Sequence, residues 1–307
     1  VRFDLHRMRL LRELAQRGTV TSVAAALAYS PSAVSQQLAV LEEEIGVRLF
    51  EPDGRRIRLT DQAHILVAYT AAVLEQLERA ETDILASLDN VVGTIRLATV
   101  QTAALALVPV TLTSLAEGHP GLKVQFTQAE PEVALPALLA REFDLVCGEN
   151  YLDYPTSRSS EMDFDVVAED PIRVAFLRPP EGREPSEVVL TDFADRPWVL
   201  EPEGSPGRDW AMATCRQAGF EPRVAHETSD VLVQARLVAS GHAAAFLPDL
   251  TWFDREPGFH LRQMAASHVR QIVTTCRAGS HRNPALVAVR DALREAYRQS
   301  RPSITDR

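Results

Sequence analysis

Cysteine is scarce in this chain of 307 residues: Cys147, Cys215 and Cys276 are odd in number, far apart and form no Cys-x-x-Cys pair. The pattern suggests neither a disulfide framework nor a zinc motif, and buried, inert thiols are expected. No apolar run approaches the ~18 residues that a membrane span needs, and the charged stretch from Arg2 to Arg12 leads into no apolar leader segment. A soluble, cytoplasmic protein without a membrane partner is the expectation. Lysine is rarer still, with Lys123 alone among 32 basic residues, and no function is drawn from that bias. Catalytic signatures are missing as well. The eight histidines form no His-Glu-x-x-His pair, there is no Gly-x-x-x-x-Gly-Lys-Ser/Thr loop, and Gly204-Ser205-Pro206-Gly207 misses the nucleophile-elbow spacing by one residue. A protein that is not an enzyme, with no cofactor and no metal site, follows.

What is present is enough apolar material, 46%, for at least one large core, and a length that suggests roughly two domains. The net charge of -10 is unevenly spread. Residues 1–60 carry nine arginines against seven acids, so the front end is mildly basic and the remainder strongly acidic. Arg7, Arg9 and Arg12 precede the segment Thr21 to Gly46, and Arg55, Arg56 and Arg58 follow it. These cations are placed either for phosphate contact or as ordinary solvated surface.

The segment between them reads as two short helices around a tight turn. Val34, Leu38, Leu41 and Ile45 fall on one helical face, which leaves Ser32, Ser35 and Gln36 on the opposite side, free to reach base edges. Ser30 suits the N-cap and Pro31 the first helical position, while the acids Glu42, Glu43 and Glu44 sit at the far end. A first helix is expected over Leu5 to Arg17, with Met8, Leu11, Leu14 and Ala15 inward and Gly18 as its stop. Arg48 to Thr60, with the turn Pro52-Asp53-Gly54, predicts a two-stranded wing. Asp61 to Asp89 contains neither proline nor glycine and predicts one long helix. Leu66, Thr70, Val73, Leu77, Ala80 and Ile84 form a seam suited to a dimer contact.

Beyond Gly93 strands and helices alternate. Strands are expected over Ile95 to Val100, Lys123 to Gln128 and Asp144 to Glu149, with helices over Leu105 to Glu117 and Val133 to Ala140. That order implies a parallel sheet with right-handed crossovers. A second run follows: strands at Ile172 to Leu177, Trp198 to Glu201, Arg223 to Glu227 and Ala243 to Leu247, with helices at Arg208 to Ala218 and Val231 to Ser240. The strand Val269 to Arg277 and the helix Pro284 to Arg298 are expected to return to the first of two lobes.

These residues carry a resemblance. Ala24-Ala25, Leu27, the run Ser32 to Leu38, Leu41-Glu42-Glu43, Gly46, Leu49-Phe50-Glu51, Gly54-Arg55-Arg56 and Leu59-Thr60 resemble the winged helix-turn-helix signature of LysR-type transcriptional regulators. Phrases such as Glu142-Phe143-Asp144-Leu145, Ala218 to Pro222 and Leu237 to Gly241 extend the likeness over nearly the whole chain. The resemblance implies an α/β protein with an N-terminal winged helix-turn-helix over residues 1–60, a dimerisation linker helix over 61–90 and a two-lobed, periplasmic-binding-protein-like effector domain over 91–307. Lobe I would take about 91–165 and 267–303, lobe II about 166–266. It implies double-stranded promoter DNA and a small-molecule effector as partners, and a homodimer or homotetramer. Pro31, Ser32, Ser35, Gln36 and Gln37 would face the major groove, and Arg55 and Arg56 the backbone or minor groove. The family commonly has arginine where this chain has Gln36 and Pro52, and often glycine in place of Ala63, which implies altered DNA specificity.

In a two-lobed sheet protein a ligand sits beyond the carboxyl ends of the strands. Thr99, Gln101 and Thr102 follow the first strand and are either a carboxylate-holding loop or a plain helix cap. The resemblance adds Ser205, Thr228, Ser229 and Phe246. Glu149, Asn150 and Glu201 end strands facing the same cleft, and either favour a cation or are simply solvated. Together they suggest a zwitterionic amino acid or related amine. A two-lobed solute-binding protein is the alternative, disfavoured by the fused Ala24 to Thr60 head.

Overall fold

The computed structural model describes residues 3–53, 56–88, 90–151, 159–254, 256–265 and 268–300, with the side chains of 52, 53 and 56 left aside. Contacts divide the chain into two compact units, Val1–Ser87 with Ala278–Arg282, and Leu88–Arg277 with Asn283–Arg307.

The first unit contains α1 (Leu5–Arg17), α2 (Val20–Ala26), α3 (Pro31–Ile45), the hairpin β1 (Phe50–Asp53) and β2 (Arg56–Leu59), and α4 (Asp61–Ala86). Each helix starts on a short polar side chain that accepts a hydrogen bond from a free backbone N–H: Asp4 from Arg7, Thr19 from Ser22, Ser30 from Ala33 and Thr60 from Ala63. Such a cap stabilises by about 1 kcal/mol. Gly18 and Gly46 end α1 and α3 with φ of 75° and 77°, a left-handed conformation that costs other residues energy. Leu11, Val23, Val34, Leu38, Leu41 and Leu49 form the core. Leu10 packs there too, whereas Ala15, expected inward, is exposed. Glu42 is not an idle acid, because its Oε1 accepts from Leu49 N at 2.7 Å and so fixes the entry to the wing.

At about 1.5 Å per residue the 26 residues of α4 span about 40 Å. The single seam expected along it is in fact two faces. Ala63, Leu66, Thr70, Leu74, Glu78 and Thr82 are buried within the unit. Ile65, Tyr69, Val73, Leu77 and Ile84 are exposed, and Ala80 is exposed as well. A mixed period of three and four residues fits either face, which is why sequence spacing merged them.

The second unit contains β3 (Gly93–Thr99), α5 (Gln101–Ala106), α6 (Val108–Gly118), β4 (Leu122–Gln128), α7 (Pro131–Leu139), β5 (Leu145–Tyr151), β6 (Met162–Phe176), β7 (Pro197–Leu200), α8 (Pro206–Gln217), β8 (Arg223–Glu227), α9 (Val231–Ala239), β9 (Ala245–Pro248), β10 (His260–Arg262), β11 (Val269–Arg277) and α10 (Pro284–Ser300). The sheet runs β10-β6-β11-β5-β3-β4, with β9 also on β6, while β7 and β8 pair separately. Strands β3, β4 and β5 are parallel as expected, but β11 is antiparallel to β5 and β6, so the sheet is mixed. The core of lobe I gathers Leu97, Leu107, Leu145, Ile272 and Leu293, and that of lobe II Phe176, Phe193, Trp198 and Trp210. The return of β11 and α10 to lobe I is seen directly.

Two expectations change. The helix placed at Leu105 to Glu117 is two helices broken at Leu107, the first starting at Gln101. The strand placed at Ile172 to Leu177 begins at Met162 and serves both lobes. Its first part pairs with β11, and Ile172 to Ala175 pair with β9. The change of partner coincides with Pro171, which has no N–H to give to a ladder. β10 had no counterpart among the expected elements.

Candidate DNA-reading face and effector cavity

Helix α3 buries Val34, Leu38 and Leu41 and exposes Pro31, Ser32, Ser35 and Gln36 along its other side. Ser32 Oγ lies 3.0 Å from Ser30 Oγ, next to the helix start. Gln37 stands apart: its Oε1 accepts from Arg7 Nε at 3.0 Å, and Arg7 also pairs with Glu44 at 2.7 Å. Of the three leading arginines only Arg9 is exposed, since Arg7 is engaged and Arg12 is buried. On the wing, Arg58 pairs with Glu51 at 2.7 Å. Arg55 lies outside the described residues, as does the side chain of Arg56.

The second unit encloses a cavity between its lobes, with about 640 Å³ of free space, solvent mouth included. Six of the expected effector residues line it: Gln101, Thr102, Glu149, Glu201, Ser229 and Phe246. Four do not. Thr99 is fully buried, its Oγ1 directed to Val100 O at 3.4 Å. Asn150 faces a different hollow, beside Leu135 and Val273, and its Nδ2 donates to Gln271 at 3.3 Å. Ser205 caps α8 by accepting from Arg208 N at 3.2 Å, and Thr228 Oγ1 accepts from Asp230 N at 3.1 Å. Glu149 borders both hollows, whereas Asn150 lines only the second, as expected for successive strand residues whose side chains point to opposite faces.

The cavity also holds residues that sequence reading passed over: Glu130, Tyr151, Trp210 and Arg270. Glu130 is the N-cap position of α7, signalled only by Glu130-Pro131. Arg270 lies within a strand, between Val269 and Gln271, and nothing local marks it. Its Nη2 donates to Thr102 Oγ1 at 2.7 Å and to Asp170 Oδ2 at 2.8 Å, and its Nη1 bonds Glu149. Asp170 also accepts from Leu250 N at 2.9 Å. Burial opposes the guanidinium charge, but Glu149 and Asp170 outweigh it and hold the pKa above the usual value.

Negative charge is in surplus here. Burial, reinforced by the charge of Glu149, raises Glu130 to about 7 and Glu201 to about 7. Burial raises Asp170 to about 6 in spite of Arg270. The Glu201 carboxylate presses on the first turn of α8, where a Cβ on Gly207 would come within 2.6 Å of Oε1, so a larger residue there would displace the carboxylate. Tyr151, whose hydroxyl donates to Glu149 at 3.3 Å, Trp210 and Phe246 supply aromatic wall, with ring centroids 5.7 Å apart for Tyr151–Trp210 and 5.1 Å for Trp210–Phe246.

The two units match two family models. One described as LysR substrate binding domain matches residues 89–298, and one described as bacterial regulatory helix-turn-helix protein, lysR family, matches residues 5–64. The chain belongs to the LysR family. It is thus a DNA-binding transcriptional regulator with an effector-binding domain, from a family whose members bind promoter DNA and small molecules and form oligomers. It is 29% identical over 259 residues to transcriptional dual regulator GltC of Bacillus subtilis, covering 84% of this chain and 85% of that one. To HTH-type transcriptional regulator BsdA of the same organism it is 26% identical over 250 residues, covering 80% and 83%. Among solved structures, a full-length OxyR variant from Pseudomonas aeruginosa superposes with a TM-score of 0.68 at 20% identity, covering 96% and 95% of the two chains. Full-length CbnR complexed with its target DNA gives 0.54 at 21% identity, covering 96% and 99%. These structures show the same fold. Among the described residues no helix is long and apolar enough to cross a membrane, and no group of three or more His, Cys, Asp or Glu is placed to hold a metal ion.

Proposed function

We propose that this regulator reads promoter bases with Pro31, Ser32, Ser35 and Gln36 of α3, contacts phosphate with Arg55 and Arg56 of the wing, and takes its effector in the cavity that Gln101, Thr102, Glu149, Glu201, Ser229 and Phe246 line. The division into a DNA-binding head over residues 1–60, a linker helix over 61–90 and an effector domain from 91 is part of this reading. So is the absence of catalysis. The observation that carries it is the exposed polar face of α3 backed by a fully buried apolar one. A carboxamide can pair bidentately with adenine, and serine hydroxyls can donate or accept. Gln37 belongs to the anchoring of α3 on α1 rather than to base reading, because Arg7 already occupies its amide oxygen.

The test is a binding titration on promoter fragments at several salt concentrations. Gln36→Ala relaxes base preference, whereas Arg55→Ala weakens all sequences alike and reduces the salt slope by about one. The reverse order would overturn these roles. An amino acid or related amine, carrying both charges, is the ligand class to try first at the cavity.

A further inference from the structure

Of the two charges on such a ligand, the cavity is built for one. We infer that the effector site selects a small cation, an alkylammonium group, and needs no carboxylate on the ligand. The inference rests on the reading of this cavity as the effector site and adds its chemistry.

Three observations carry it. First, the carboxylates on the wall are Glu130, Glu149 and Glu201 against the one guanidinium of Arg270, and Arg270 is already satisfied by Glu149, Asp170 and Thr102. No free positive charge is left among the described lining residues to meet an anion. Second, the Gln101 side chain and the starts of α8 and α9, which could otherwise meet a ligand carboxylate, are engaged within the protein. Gln101 Oε1 accepts from Val231 N at 2.9 Å and its Nε2 donates to Asp230 at 3.0 Å, Asp230 accepts from Leu232 N and Val233 N, and Glu201 lies on the first turn of α8. Third, Tyr151, Trp210 and Phe246 stand beside these acids, and aromatic faces next to carboxylates attract ammonium groups while rejecting anions.

Glu130 precedes α7 of lobe I and Glu201 follows β7 of lobe II, so a cation between them neutralises like charges on both lobes. Because burial and Glu149 raise both acids to about 7, a cation must displace their protons near neutral pH. The other charged or titratable groups facing them are Glu149 and Tyr151 of β5, Asp170 of β6, Arg270 of β11 and Glu132 of α7.

Calorimetry of the full chain with butylammonium, 4-aminobutyrate and butyrate, three ligands of one carbon count, tests the inference. Butylammonium and 4-aminobutyrate should bind and butyrate should not. Affinity for the cation should rise with pH between about 6 and 8, with protons released into the buffer. Glu201→Gln and Glu130→Gln should each weaken cation binding about tenfold without loss of the fold. Butyrate binding as well as butylammonium, cation binding indifferent to both glutamine variants, or no binding of either amine at millimolar concentration overturns it. Ser229→Phe, at the exposed mouth, separates the two claims. Butyrate binding that this variant blocks would keep the cavity as the effector site and sink only the cation. If the variant leaves binding of every ligand unchanged, the cavity reading falls as well.

Discussion

Gln101 ties the start of α5 in lobe I to the start of α9 in lobe II, its Nε2 donating to Asp230 Oδ1 at 3.0 Å and its Oε1 accepting from Val231 N at 2.9 Å. The amide thereby satisfies a helix N–H that would otherwise lack a partner. The hydrogen bond from Gln101, followed by bonds from the α9 backbone, holds the Asp230 carboxyl below the usual range despite some burial. Gln101→Ala leaves both partners wanting, and should lower the unfolding free energy of the effector unit by about 1–2 kcal/mol. Urea titration followed by tryptophan fluorescence measures it. Gln101→Glu should cost more at neutral pH than at pH 4, since it sets a carboxylate against Asp230.

Arg270 is the other tie at the cavity. It is almost fully buried, and its partners Glu149 and Asp170 are buried or nearly so. Arg270→Met removes the one charge that compensates two acids, and breaking a buried pair on one side costs about 3–5 kcal/mol. A loss under 1 kcal/mol in the same titration would show that water, rather than Arg270, satisfies those carboxylates. Asp170→Asn should cost less, because burial already raises that acid to about 6.

The raised acids set the sign of a pH dependence. Glu130 and Glu201, lifted from 4.5 to about 7, bind protons in the folded chain that the unfolded chain has already released. Between pH 4.5 and 7 their contribution to stability therefore falls as pH rises, having been fully present below 4.5. His268, lowered by burial, works the other way below 6.5, so the parent curve alone does not isolate the acids. Glu201→Gln does. The Tm of this variant relative to the parent should increase from pH 5 to pH 8, and a difference that is flat across that range would show Glu201 to be solvated.

How much of this was legible in the sequence depends on the range over which each residue acts. The α3 face was readable, because Val34, Leu38 and Leu41 set its orientation within four turns of one helix. So were the cap at Ser30 and the stop at Gly18. The parallel strands β3, β4 and β5 followed from alternation with helices. β6 was half missed, since a strand that changes partners and carries Pro171 inside it violates local rules. In the cavity, Glu149 and Glu201 near strand ends were found, whereas Tyr151, the next residue of β5 on the same face as Glu149, and Arg270 and Trp210 were not. The roles of Arg270 and Trp210 arise from β11 and α8, which reach the cavity only through tertiary packing. Gln37 shows what local position leaves out: spacing puts it beside the reading face but does not reveal that its amide oxygen accepts from Arg7, 30 residues away.

The outward face of α4 gives the last prediction. Ile65, Tyr69, Val73, Leu77 and Ile84 expose between 42% and 68% of their surface, along a helix whose opposite face is already packed in its own unit. An apolar stripe of that length suits contact with another chain, and members of this family form oligomers. In a two-fold interface each substitution acts twice. Tyr69→Glu or Leu77→Glu should therefore weaken self-association by about 3 kcal/mol or more, roughly a hundredfold or greater. The buried core of the same unit, on the other side of the helix, should unfold at an unchanged Tm when measured in the isolated monomer. Sedimentation across a concentration series reads the association, and an unaltered oligomer in both variants would place the contact on another surface.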